Sequence, residues 1–282
     1  MHMPSSAISI LGCGWLGLPL GRTLAAQGYS IHGSTTTPEK QDALREAGIT
    51  PYVLSLSPTL TGEDVDALFE TDVLFLNVPP PRGRDGLVDY HLRQIDSVCD
   101  AARAGSIGWV LFASSTGVYP RTEGPADESA TPEVASARDV LRPSGAALLE
   151  AERMLQAETA FDTTIVRFAG LYGGDRDPGR FMMGRDVVSG GDAPVNLIHR
   201  DDCIGIVTAI LEQNVRGETF NAAADTHPTR RALYTAAAQR LEYDPPAFEP
   251  GGTNKTVANE KVKRVLGYTF HHPDPLADME AV

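Results

Sequence analysis

The sequence predicts an α/β fold, a doubly wound parallel sheet joined to a smaller C-terminal α+β portion. Three observations predict it. Through the first half of the 282 residues, short β-rich runs alternate with helical apolar spacing, as when crossover helices join parallel strands. Gly12, Gly14 and Gly17 stand where the first strand turns into the first helix. Beyond "LYGGDRDPGR", residues 171–180, the elements become shorter and less regular. The boundary is therefore set at 170, with residues 1–170 as the first domain and 171–282 as a smaller portion interleaved with it.

Ala7–Leu11 is the first strand, a short apolar run. Trp15–Gln27 follows as a helix and is stopped by Gly28. Tyr29–Gly33 is a second strand, and Pro38–Ala47 a second helix that opens on proline and ends at Gly48. Pro51–Leu56 is a third strand. Val73–Val78, "VLFLNV", is a fourth, its unbroken apolar run suiting a strand covered on both faces. Across Asp89–Ala104, Leu92, Ile95, Val98 and Ala102 recur at helical spacing. "WVLFAS", Trp109–Ser114, is a buried fifth strand. A helix over 144–158 and a strand over Thr163–Phe168 continue the alternation. "GETFNAA", 217–223, reads as a later strand, and Pro273 onwards as a surface tail.

Hydrophobic residues make up 42% of the chain and charged ones 22%, enough for a sizeable core and far from a disordered composition. The formal net charge of −13 argues against a nucleic-acid backbone or an anionic membrane as partner. Cys13, Cys99 and Cys203 are scattered without a C-x-x-C, which suits a reducing cytoplasm and no zinc site. No metal is expected: His271–His272 has no ligand partners at metal spacing and reads as tail. "AISILGCGWLGLPL" lacks the basic flank of a signal peptide. No run approaches the ~18 apolar residues of a membrane helix. A soluble cytoplasmic protein acting on a small molecule is expected, with its oligomeric state open.

The chemistry begins at "ILGCGWLGLPLG". Gly12 permits a tight turn, Gly14 lets backbone approach a pyrophosphate, and Gly17 lets the helix pack closely on the strand. The helix N-terminus, with Trp15 and Leu16 in its approach, then faces the phosphates. At the end of the second strand a ribose 2′-hydroxyl usually meets Asp or Glu. Here stand Ser34, Thr35, Thr36 and Thr37, with no carboxylate before Glu39. Hydroxyls and backbone N–H groups accept a 2′-phosphate, so NADP is the expected cofactor, with NAD the alternative. One of the threonines is the expected cap of the following helix.

"FASSTGVYP" (112–120) follows the fifth strand. With the glycine loop, it resembles the extended short-chain dehydrogenase/reductase family, the NAD(P)-dependent epimerase/dehydratase group. "TIVRFAGLYGG" (164–174), "VNLIHRDDCIGIVTAIL" (195–211) and "NEKVKRVLGYTFHHP" (259–273) resemble further motifs of that family in the same order. The resemblance implies a Rossmann NAD(P)-binding domain over 1–170 and a substrate-binding portion over 171–282. It implies that Ser115 hydrogen-bonds the substrate's reacting oxygen, and that Asn77, Val78 and Pro79 pass near the adenosine and ribose. Oxidoreductase, epimerase or dehydratase chemistry follows, nucleotide sugars being common substrates of the family.

One departure bears on that chemistry. In the family a tyrosine acts as general acid/base, and a lysine four residues on lowers its pKa and holds the nicotinamide ribose. Aligned on "EAERML" (150–155), those positions hold Ser144 and Leu148, and residues 121–171 contain neither tyrosine nor lysine. A serine hydroxyl titrates far above tyrosine's ~10, and leucine brings no charge. Tyr119, Arg142, Glu150 and His199 are conceivable proton donors. Tyr119 is expected to pack, His199 to be structural, and Asp201–Asp202 to cap a helix. Two functions stay open: an oxidoreductase or epimerase/dehydratase with a displaced acid/base, and a non-catalytic NADP-binding sensor. A hydroxyacid-dehydrogenase-like enzyme would need a long all-helical second domain, which "GETFNAA" opposes.

Overall fold

In chain order the first elements are β1 (Ala7–Leu11), α1 (Gly17–Ala26), β2 (Ser30–Thr35), α2 (Gln41–Glu46), β3 (Ile49–Leu56), β4 (Leu60–Gly62), α3 (Val65–Phe69), β5 (Val73–Leu76), α4 (Leu87–Ala104) and β6 (Trp109–Ser115). Then come β7 (Gly124–Ala126), α5 (Val134–Val140), α6 (Pro143–Ala157), β8 (Asp162–Phe168), β9 (Gly170–Tyr172), β10 (Val187–Val188), β11 (Leu197–His199), α7 (Arg200–Gln213) and β12 (Thr219–Ala222). The chain closes with α8 (Arg230–Arg240), β13 (Ala247–Phe248), β14 (Lys255–Val257), α9 (Glu260–Leu266) and α10 (Pro275–Glu280). The structure is a computed structural model and describes residues 6–281.

Eight strands form one sheet in the order β12-β8-β6-β5-β1-β2-β3-β4. The pairs β1–β2, β2–β3, β1–β5 and β5–β6 are parallel, and β4 turns back antiparallel on β3. The apolar runs explain the centre: all four side chains of β5 are buried, as are the first four of β6. From β1 the chain first builds outward through β2 and β3, then crosses back to β5. That reversal beside β1 makes a topological switch point, where doubly wound sheets take their ligands beyond the strands' carboxyl ends.

The chain divides into two compact units. The first comprises residues up to Val118, Pro132–Val166 and Val207–Thr219. The second comprises Tyr119–Thr131, Arg167–Ile206 and the chain from Phe220 onwards. Within the second unit, three two-stranded sheets (β7 with β14, β9 with β11, β10 with β13) accompany its helices. No helix among the described residues is long and apolar enough to cross a membrane.

Three expectations need correction. The second helix is broken: Pro38–Lys40 is a 3-10 turn, and only Gln41–Glu46 is α-helical. Thr37 holds the cap position without a side-chain bond, and the Thr35 hydroxyl accepts from Thr37 N instead (3.1 Å). The end of the chain is not a tail. Asp274 caps α10 by accepting from Leu276 N, and Pro275 stands in the first turn, where its missing N–H costs nothing. Met279 then packs into an apolar cluster with Tyr172, Leu197, Leu233, Tyr234 and Ala237.

Candidate functional site

The carboxyl end of β1 runs into the glycine loop, and each glycine there has a distinct geometric cause. Gly12 has φ +109°, a region L side chains rarely adopt, and a Cβ on it would lie 2.5 Å from the Asn77 carbonyl oxygen. A Cβ on Gly17 would strike the Gly12 carbonyl oxygen, so helix and loop touch through bare backbone. Gly14 differs: it is exposed, and a Cβ there would meet nothing within 4 Å. Leu16 occupies the cap position of α1 without a side-chain cap bond. The loop is thus closed below by Gly12 and Gly17 and open above Gly14, beside a helix N-terminus that favours anions. This cradle fits a pyrophosphate.

Neighbouring strands hold the loop. Gly12 N donates to the Ser34 hydroxyl (2.9 Å) and Cys13 N to the Ser34 carbonyl (2.9 Å). Asn77 Nδ2 donates to the Gly12 carbonyl (3.0 Å). Ser34 and Thr35 are buried, while Thr36 is exposed at the end of β2. Val78 is half-buried, and Pro79 is exposed on the chain leaving β5. Trp15 is half-buried and Leu16 buried. Cys13 lies beneath the loop, and burial pushes its thiol up to about 12. It packs as a small apolar residue.

Ser115 ends β6. Its hydroxyl accepts from Gly117 N (3.2 Å), an ordinary turn bond that leaves the O–H able to donate elsewhere. The start of α6 is pressed onto this turn, because a Cβ on Gly145 would collide with the Gly117 carbonyl oxygen. Ser144 is exposed there, whereas Leu148, a turn further on, is 6% exposed. Glu152, another turn along, is fully buried and accepts from the Ser114 hydroxyl (2.5 Å). Glu150 is engaged by Arg138 through two bonds of 2.7 and 2.8 Å. Arg142 is exposed just ahead of α6.

Of the residues weighed in the second unit, Tyr119 packs as expected. Its hydroxyl donates to Asn221 Oδ1 (2.5 Å) and accepts from buried Arg167 (2.9 Å). Burial pushes it up to about 12. Asp202 is not a helix cap. It is fully buried and accepts from the Tyr268 hydroxyl (2.9 Å) and from the backbone N–H of His271 (2.7 Å) and His272 (3.0 Å). Nor does His272 lack partners. Its ring stacks on His199 with centroids 3.6 Å apart, and its Nδ1 faces Asp278 at 2.9 Å. Burial first, and the neighbouring His272 second, lower the pKa of His199. The nearest signal in the sequence was the acidic pair beside a histidine at 199–202, but sixty-nine positions separate it from His271.

Comparison with known proteins gives the family and the fold. Residues 12–214 match a family described as NAD(P)H-binding. Protein YeeZ of Escherichia coli (strain K12) is 35% identical over 274 residues, 95% of this chain and 97% of that one. A functionally unknown conserved protein from Silicibacter pomeroyi has a TM-score of 0.74 at 24% identity, over 98% of this chain and 97% of that one. A UDP-glucuronic acid 4-epimerase from Bacillus cereus, solved with NAD, has a TM-score of 0.79 at 18% identity, over 98% and 96%. The last two likenesses are of fold.

Proposed function

The chain belongs to the NAD(P)H-binding family, with the fold of the short-chain dehydrogenase/reductase epimerases, and on that premise we propose an NADP-dependent oxidoreductase or epimerase/dehydratase acting on a small molecule in the cytoplasm without the tyrosine/lysine pair. The observation that carries the cofactor reading is the open space above Gly14 beside an uncapped helix N-terminus. The 2′-phosphate of NADP suits a β2 end of Ser34, Thr35 and exposed Thr36, where a carboxylate would repel it. Bound there, a nicotinamide supplies or accepts hydride. Ser115 is the residue to hydrogen-bond the substrate's reacting oxygen, since its O–H is free of the bond it accepts from Gly117.

Proton transfer is the weak point. At the family's acid/base positions stand exposed Ser144 and buried Leu148, while Glu150 and Glu152 are bound to Arg138 and Ser114. General acid/base help contributes ~10²–10⁴-fold, so turnover without it is slow. A second reading, an NADP-binding sensor, draws on the same observation, because buried Leu148 brings no charge to a nicotinamide ribose.

Calorimetry with NADPH and NADH, followed by single-turnover oxidation against carbonyl compounds and nucleotide sugars, tests both readings. Tighter NADPH binding with slow turnover that falls in Ser115→Ala supports the enzyme. Binding with no turnover supports the sensor. Affinity for NADH at least equal to that for NADPH overturns the cofactor assignment, and binding of neither overturns the site.

A further inference from the structure

We propose that His199, Asp201 and His272, all in the second unit, form a site for one divalent transition-metal ion of the zinc class. Their ligand atoms lie within 4.8 Å of one another. His199 Nδ1 stands 3.7 Å, and His272 Nε2 4.0 Å, from Asp201 Oδ2. Tetrahedral ligands at metal distances of 2.0–2.1 Å stand about 3.4 Å apart, so closing the site draws ligand atoms together by at most about 1.4 Å. Asp201, its side chain 57% exposed in the first turn of α7, can close its own two distances, and small rotations of the two rings close the third.

The surroundings prepare the imidazoles as acceptors. The Asp278 carboxylate, 2.9 Å from His272 Nδ1, holds the ring proton on that nitrogen and leaves the Nε2 lone pair toward Asp201. Asp278 is itself fixed by the Tyr172 hydroxyl (2.6 Å). A carboxylate behind a histidine is how metal sites set the tautomer and raise ligand basicity. His199 Nδ1 is held as an acceptor by Asp201 N–H (3.2 Å), a bond it would exchange for the ion. The His272 Nε2 lone pair and His199 Nδ1 thus stand 4.0 and 3.7 Å from one carboxylate oxygen, an arrangement that a cation among them would stabilise.

The scaffold is firm where the site needs it. Buried Asp202 holds the backbone of His271 and His272, and the edge of Tyr172 meets His199 at 5.1 Å between centroids. At Gly173, with φ +97°, any Cβ would collide with the His199 ring. Two imidazoles and one carboxylate select zinc, cobalt or nickel over magnesium and calcium, which prefer all-oxygen shells. Three protein ligands leave a position for water. The ion would tie the segment after α9 to the start of α7.

The test uses the full chain, dialysed against EDTA and titrated with ZnCl₂ by calorimetry and with CoCl₂ by visible absorption. One ion per chain is expected, with Asp201→Asn and His272→Ala each weakening Zn²⁺ at least tenfold. Asp278→Asn, which touches no metal ligand atom directly, should cost ~10–100-fold. Zn²⁺ should raise the parent's melting temperature more than that of Asp201→Asn. Asp201 is exposed and Asn isosteric, so its folding is not at stake. Zn²⁺ affinity unchanged in both Asp201→Asn and His272→Ala overturns the proposal. So does a parent that binds no Zn²⁺ and melts alike in EDTA and in Zn²⁺.

Discussion

Replacing Gly14 and Gly17 by alanine should have opposite consequences, although both glycines stand in one short loop. At Gly14 the added Cβ meets nothing within 4 Å, and the backbone is not in the positive-φ region reserved for glycine. Folding therefore loses no contact, and restriction of the unfolded chain contributes ~0.4–1 kcal/mol of stability. The same methyl fills the cradle where backbone N–H groups would meet a pyrophosphate. Each hydrogen bond to a charged group is worth ~1.5–3 kcal/mol, so losing one weakens NADPH by roughly ten- to a hundred-fold. At Gly17 the Cβ collides with the Gly12 carbonyl oxygen and lies 3.0 Å from Ile10 Cγ2. Backbone oxygen cannot turn aside, and overpacking of this kind costs ~1–3 kcal/mol, a fall of several degrees in melting temperature. Differential scanning fluorimetry and calorimetry with NADPH measure the two quantities separately. If Gly14→Ala binds NADPH within threefold of the parent, or melts as low as Gly17→Ala, the pyrophosphate does not lie above Gly14.

Other expectations are checked more simply. All three cysteines are buried, and burial raises the pKa of each, so a disulfide-exchange reagent should titrate no thiols in the native protein and three in guanidinium. His91 is fully buried with Nδ1 against Gln94 Oε1 (3.1 Å), and burial lowers its pKa from 6.5. Below pH ~6.5 the unfolded chain therefore binds the extra proton, and His91's contribution is complete above that pH and lost as pH falls toward the folded value. The slope is at most ~1.4 kcal/mol per pH unit, and denaturant titrations of His91→Gln between pH 7 and 5 should show it flattened. The double change Ser144→Tyr with Leu148→Lys should raise NADPH turnover or tighten nicotinamide binding, whereas rapid parental turnover insensitive to Ser115→Ala and to both positions would place the acid/base elsewhere.

What was legible in the sequence is what repeats locally. The parallel strands show as apolar runs because both their faces are covered, and β5 and β6 fall within a residue or two of the expected limits. The glycine loop is legible because its steric demands act over six positions. The short elements were not. β4 has three residues and α3 five, so neither completes a period that distinguishes helix from strand. Asp202 was misread as a cap for another reason: a carboxylate at the start of a helix has the same local sequence whether it caps that helix or reaches a backbone seventy residues away.

The face of α6 that should carry the missing pair remains recognisable by what surrounds it. Positions 144, 148 and 152 lie four apart, hence on one side of a helix. Gly145 presses on Gly117 at the near end of that side, and Glu152 reaches Ser114 at the far end. The helix is therefore docked on β6 and its turn from both ends, with Leu148 buried between them. Shifting the alignment along this helix brings in no tyrosine or lysine, because residues 121–171 contain neither. Leu148→Lys is less hostile than burial alone suggests, since Glu152 stands one turn on, within reach of an ammonium at i,i+4. If the lysine variant unfolds while Ser144→Tyr alone does not, Glu152 is too firmly committed to Ser114 to serve.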